Sequence, residues 1–214
     1  MNKFLQITTI LFLVLLSGCV LGRRTVDLPV QSFSDSAMEK GEIFIGTIDD
    51  NRTFQNKPSD PSMPSIDGDV HSLTPQEKGM MIGRQRGGFG NAAGDVALPA
   101  NDSVVARTRR LLEEGFKKRG YSITQDSRAP NSANAIIHKF WGWFTPGFWT
   151  ITFEATVNCT IALTKPDGPA TIIVQGYGRN QGQVASDANW QLTYQRAFQD
   201  FLSKLDSQLS TAAF

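Results

Sequence analysis

Two cysteines and two histidines are the residues of this chain best suited to covalent or metal chemistry, and they stand far apart, at Cys19, His71, His138 and Cys159. A thiol is a strong nucleophile and readily forms a thioether. Cys19 follows Leu16-Ser17-Gly18, and the two small residues leave the peptide bond before the cysteine open to a processing enzyme. A thiol so placed is a candidate for covalent modification. Cys159 lies on the apolar side of an alternating run and reads as a small core residue, because buried thiols are inert. With Cys19 consumed, Cys159 has no partner for an intramolecular disulfide. No Cys or His pair has metal-ligand spacing, and neither a Gly-x-Ser-x-Gly elbow nor a phosphate loop occurs. The sequence thus offers no catalytic residues, no metal ligands and no cofactor site, and a non-catalytic role is expected.

The surroundings of Cys19 give it a context. Residues 1–18 combine Lys3, an apolar run over residues 4–16 and small residues before the cysteine, the make-up of an export signal. The apolar run falls short of the roughly 20 residues that span a bilayer. Leu16-Ser17-Gly18-Cys19 resembles the lipobox of bacterial lipoproteins, which implies a diacylglyceryl thioether on Cys19 and a mature chain beginning there. Two acyl chains, at roughly 0.8 kcal/mol per buried methylene, anchor a protein stably. Val20 follows the cysteine where an Asp would imply retention at the inner membrane. The resemblance therefore implies the periplasmic face of the outer membrane. Residues 19–40, polar and carrying Gly, Pro and Ser, read as a flexible tether. The formal charge is +1, with 21 basic against 20 acidic residues. So balanced a charge gives no footing for nucleic acid as a partner.

The most unusual segment is Phe140-Trp141-Gly142-Trp143-Phe144-Thr145-Pro146-Gly147-Phe148-Trp149, which holds three of the four tryptophans. Pro146-Gly147 marks a turn, so the run reads as a hairpin tip. Trp141, Trp143 and Trp149 share one parity and Phe140, Phe144 and Phe148 the other, which makes both faces aromatic. Two readings stand side by side. Trp141, Trp143, Phe144, Phe148 and Trp149 form a contact surface for a protein partner or a membrane, or they form a second small core under the long loop that precedes them. At least one of the three tryptophans is expected to be exposed.

The elements that must position this segment follow from periodicity. Glu42-Ile43-Phe44-Ile45-Gly46-Thr47-Ile48 reads as a strand. Residues 54–100, punctuated by Pro58, Pro61, Pro64 and Pro75 and by Arg84-Gln85-Arg86-Gly87-Gly88-Phe89-Gly90, read as a long Gly/Pro-rich loop. A helix is expected from a cap at Asn101, Asp102 or Ser103 to Gly120, with Val104, Leu111, Leu112 and Phe116 at helical spacing. Its basic end, Lys117-Lys118-Arg119, reads as a solvated helix terminus. Ile151, Phe153, Ala155, Val157, Cys159, Ile161 and Leu163 alternate with polar residues as in an antiparallel strand. Pro166-Asp167-Gly168 turns it into a partner over residues 171–177. A last helix begins near Ser186-Asp187. The expected fold is α+β: a single domain over residues 41–209, with an antiparallel sheet of four to five strands and two helices on one face.

The lipobox, the early strand, the helix ending in Lys118-Arg119-Gly120-Tyr121, the strand pair and the closing helix together resemble the YajG-like family of bacterial outer-membrane lipoproteins. The resemblance spans roughly residues 42–205, and some related sequences are labelled flagellar biosynthesis proteins. It implies a lipid-anchored protein-interaction or assembly module of the cell envelope, with an envelope protein as partner. The alternative from another class is an auxiliary lipoprotein of lipid or ABC-type envelope transport that binds a hydrophobic ligand.

Overall fold

The computed structural model describes residues 22–32, 39–86 and 92–214. The expected signal peptide, residues 1–18, and Cys19 lie outside the described residues.

The strand and helix expected first are both present, and what lies between them differs from expectation. Strand β1 is Arg24–Thr25 and β2 is Gly41–Asp50. Helix α1, Pro75–Met80, starts in a capping box in which Thr74 and Glu77 satisfy each other's backbone N–H groups. It runs directly into β3, Met81–Arg86, which pairs with β4, Ala92–Ala97. Helix α2, Val104–Lys118, is capped by Ser103, and Gly120 beyond it takes φ +91°, the left-handed conformation that ends helices cheaply. Then come β5, Tyr121–Thr124, the long β6, Asn131–Pro146, β7, Ile151–Thr164, and β8, Ala170–Gly182. Helix α3, Asp187–Thr211, capped by Ser186, closes the fold.

The sheet corrects the expected fold class. Among the described residues it has eight strands of mixed direction, curled into a half-barrel, with three helices. Only β6–β7, β7–β8 and β3–β4 are antiparallel; β2 pairs in parallel with both β5 and β6, β3 with β6, and β1 with β4. The expectation failed because residues 54–100 read as a loop. Met81-Ile82-Gly83-Arg84-Gln85 is buried along its whole length, so it shows no alternation, and Ala92-Ala93-Gly94-Asp95 has little intrinsic strand preference. Neither announces a strand; the pairing of β3 with β6, and of β4 with β3 and β1, makes them so. The stretch expected to be a tether also joins the body, because Val26 and Leu28 are each 1% exposed in the main core.

Helices α2 and α3 pack together on the inner face of the sheet. Gly176 and Gly178 of β8 let α3 lie directly on the strand, since a methyl group at either would overlap the carbonyl of Ala197 or Thr193. The same helix guards the free edge of β8. Asp200 accepts from the Tyr177 N–H at 2.8 Å, Lys204 donates to the Gln175 carbonyl at 3.0 Å, and Arg196 donates to the Arg179 carbonyl. An edge satisfied this way does not template another strand. At the other end of α3, the basic cluster closing α2 is engaged: Arg119 binds Asp206 at 2.7 Å and the Phe214 carbonyl at 2.8 Å, and Lys117 pairs with Glu114 at 3.3 Å.

Candidate interaction site

The aromatic run is divided among three environments, and a one-residue bulge decides the division. Ile137 pairs with Cys159 and Lys139 with Asn158, so His138 is an extra residue in β6. Because side chains alternate along a strand, one inserted residue exchanges the faces. Before it, Ala133, Ala135 and Ile137 point into the main core; after it, Phe140, Gly142 and Phe144 do. His138 itself meets the Thr160 hydroxyl at 2.8 Å.

On the inner face, Phe140 stacks on Tyr194 with centroids 5.4 Å apart, and Phe144 lies 5.6 Å from Phe153 and 6.0 Å from Trp190. On the outer face, Trp141 and Trp143 join Ile66, Met81 and Ala97 in a second small core, with Phe54, Val70 and Leu73 packed against it. Residues 54–80 form its cover. Trp141 is fully buried, meets the Phe54 ring edge-on at 5.7 Å and donates its indole N–H to the Pro61 carbonyl at 3.3 Å. Trp143 donates to Glu154 at 3.1 Å, and Glu154 also accepts from the Tyr177 hydroxyl at 2.6 Å. Burial and this hydrogen bond push the Tyr177 phenol up to about 12.

Beyond Pro146 the run leaves the body. Phe148 is 89% and Trp149 82% exposed, packed edge-to-face on each other at 4.8 Å. The turn beneath them is closed by the Gly147 N–H donating to the Thr150 carbonyl at 2.8 Å, and a side chain at Gly147 would crowd that same carbonyl. Of the five residues singled out from the sequence, Trp141, Trp143 and Phe144 are therefore core, and Phe148 and Trp149 are free for contact.

Sequence reasoning missed the group that fastens the cover. Arg52 is 1% exposed, yet all five of its guanidinium N–H donors have acceptors. Two go to the Asp50 carboxylate at 2.8 Å each, and the others to the carbonyls of Lys78 at 2.7 Å, Met81 at 2.6 Å and Phe140 at 3.0 Å. One side chain thus joins the end of β2, helix α1, β3 and β6. Nothing local in Asp50-Asn51-Arg52 distinguishes a buried arginine from a solvated one.

Cys159 is buried in the main core, and burial pushes its thiol up to about 12, which suits packing and not nucleophilic attack. Among the described residues no three His, Cys, Asp or Glu side chains come together as metal ligands.

A curled mixed sheet with two long helices on its inner face is the class of fold that holds this tip. No family model and no curated protein matches the chain. Among solved structures, the chain is similar to protein XCC0632 from Xanthomonas campestris, of the family DUF330, with 11% identity and a TM-score of 0.41 over 89% of this chain and 96% of that one. It is also similar to the hypothetical protein CT253 from Chlamydia trachomatis, with 10% identity and a TM-score of 0.33 over 80% of this chain and 99% of that one. Likenesses at these TM-scores bear on neither family nor function, and the functional reading rests on the chain's own residues.

Proposed function

We propose that the protein is a non-catalytic, lipid-anchored module of the cell envelope, held by Cys19 at the periplasmic face of the outer membrane, that works by contact with another envelope component. The observation that carries this reading is the Phe148–Trp149 tip. Two large aromatic side chains at 89% and 82% exposure contribute little to the fold, and a hydrogen-bonded turn holds them clear of it. Aromatic side chains supply much contact area at low entropic cost and dominate interface energetics. The lipobox supports the anchor, and the order of elements supports a place among YajG-like envelope lipoproteins, with the link to flagellar biosynthesis that some related labels suggest.

Two measurements test the proposal. Mass spectrometry of the mature protein is expected to show an acylated Cys19 at its start, and Cys19→Ser to leave an unprocessed precursor. A photo-crosslinking amino acid at position 149 is expected to give a discrete adduct with an envelope component in intact cells. A mature start at another residue would remove the anchor. A position 149 that yields no adduct, together with full function of Phe148→Ser/Trp149→Ser, would remove the contact site.

A further inference from the structure

The register of the sheet fixes where the chain enters the domain. Strand β6 runs toward the aromatic tip. Strand β3 is parallel to β6, β4 antiparallel to β3, and β1 parallel to β4. Strand β1 therefore runs away from the tip, and the residues before it emerge at the tip's end of the sheet. Gly22 sits against Gly94, Gly94 pairs with Gln85, and Gln85 follows the Arg84–Trp143 pair, which places Gly22 level with the last part of β6. Three strand spacings of roughly 4.8 Å separate β1 from β6 across the sheet.

The distance along the chain is equally short. Cys19 precedes Gly22 by three residues, at most roughly 10 Å of chain. A tether of twenty residues would hold the domain off the bilayer, but Val26 and Leu28 are already in the core. An acylated Cys19 therefore holds this end of the sheet against the membrane.

What else stands at this end suits a bilayer surface. Phe148 and Trp149 project from it. Val184, 64% exposed, lies just beyond the end of β8, whose Gly182 pairs with Ile151 beside the tip. Residues 145–152 and 180–186 contain no charged side chain. The nearest acid after them, Asp187, is paired with Arg24 at 3.2 Å. Arg23 is exposed next to the anchor, where an anionic headgroup would attract it. Tryptophan and uncharged polar residues beside a cation are the composition favoured at headgroup depth.

We infer that the component met by the tip is the lipid bilayer that carries the Cys19 acyl chains: Phe148 and Trp149 enter its interface and, with the anchor, form a second point of attachment that fixes the domain's orientation. The inference rests on the proposed anchor at Cys19 and names the occupant of the proposed contact site. A protein at the tip is the outcome that would overturn it.

The test uses the full mature, acylated protein in vesicles of phosphatidylethanolamine and phosphatidylglycerol that include lipid brominated on its acyl chains. Trp141 and Trp190 are fully buried and Trp143 nearly so, which leaves Trp149 as the tryptophan open to an external quencher. Brominated lipid is expected to quench part of the fluorescence, and Trp149→Phe to abolish that part while leaving the melting temperature unchanged. If the parent and Trp149→Phe are quenched equally by bromolipid, or if aqueous iodide quenches Trp149 in the vesicles, the inference is overturned. A protein adduct at position 149 in cells would then leave the contact-module reading standing, whereas no adduct of either kind would end both.

Discussion

Replacing Arg52 by Met tests how strongly its guanidinium fastens residues 54–80 to the sheet. The substitution keeps an apolar stem and removes the guanidinium. The carbonyls of Lys78, Met81 and Phe140 then lose their donors, and the Asp50 carboxylate, 14% exposed, loses its cation. Each buried group left unsatisfied costs about 1–3 kcal/mol, and breaking a buried ion pair costs about 3–5 kcal/mol. These costs overlap, because water can enter once the cover loosens, so the expected loss is about 3–5 kcal/mol. A domain of this size loses about 2–4 °C of melting temperature per kcal/mol, giving an expected drop of about 6–20 °C. Urea unfolding followed by tryptophan fluorescence measures the loss. Hydrogen exchange is expected to show faster exchange in residues 54–80 than in β7 and β8, since the latch touches the former and not the latter. A variant within about 1 kcal/mol of the parent, with unchanged protection over residues 54–80, would refute the latch.

The three environments of the aromatic run make opposite predictions for neighbouring residues. Trp141→Ala should lose about 3–5 kcal/mol of stability as a fully buried aromatic, while Trp149→Ala should stay within about 0.5 kcal/mol in the same thermal melt. Cys159 should resist maleimide in the native protein at pH 8 and react once the protein is unfolded in urea. Its thiol is raised from 9.0 to about 12 by burial, so the unfolded chain releases that proton first. The thiol's contribution to stability is thus complete below about pH 9 and falls by up to about 1.4 kcal/mol per pH unit from there toward pH 12, a slope that Cys159→Val should lack. Val157→Asp should not fold, because an unpaired carboxylate in the main core costs several kcal/mol of the roughly 5–15 kcal/mol that holds a domain together; a soluble variant with an unchanged midpoint would show the strand face to be reversed.

How much of this was legible in the sequence depended on whether the determining contacts were local. The stop at Gly120 and the caps at Ser186 and at Ser103, one of three candidates for its helix, rest on local contacts and stand where the sequence marks them. Strands β7 and β8 were read because one face is packed and the other is largely polar, so alternation survives in the sequence. Strand β3 was lost because it is buried along its length between two partners, and β4 because alanine, glycine and aspartate stay extended there only through pairing. The bulge at His138 left a trace, since the apolar residues shift from Ala133, Ala135 and Ile137 to Phe140, Gly142 and Phe144, an odd-to-even change within one run. Reading strict parity past Pro146 puts Trp141 and Trp149 on a common face. The structure instead buries the first and exposes the second, because the turn after Pro146 takes the later residues out of the sheet altogether.

The separation has a consequence for any test of function. Trp141 and Trp143 depend on the cover formed by residues 54–80, and the cover depends on Arg52, so damage to any of these exposes apolar surface near the end from which the tip projects. Such a variant would lose stability and gain an adhesive patch together, and a change in its binding would say nothing about the tip. Phe148 and Trp149 make their ring contact with each other, and the turn under them is held by backbone groups of Gly147 and Thr150. Their replacement leaves both cores intact. Contact and folding are thus assigned to different residues of one continuous aromatic run, with Pro146 and Gly147 as the boundary, and a loss of binding without a loss of stability can arise only on the far side of it.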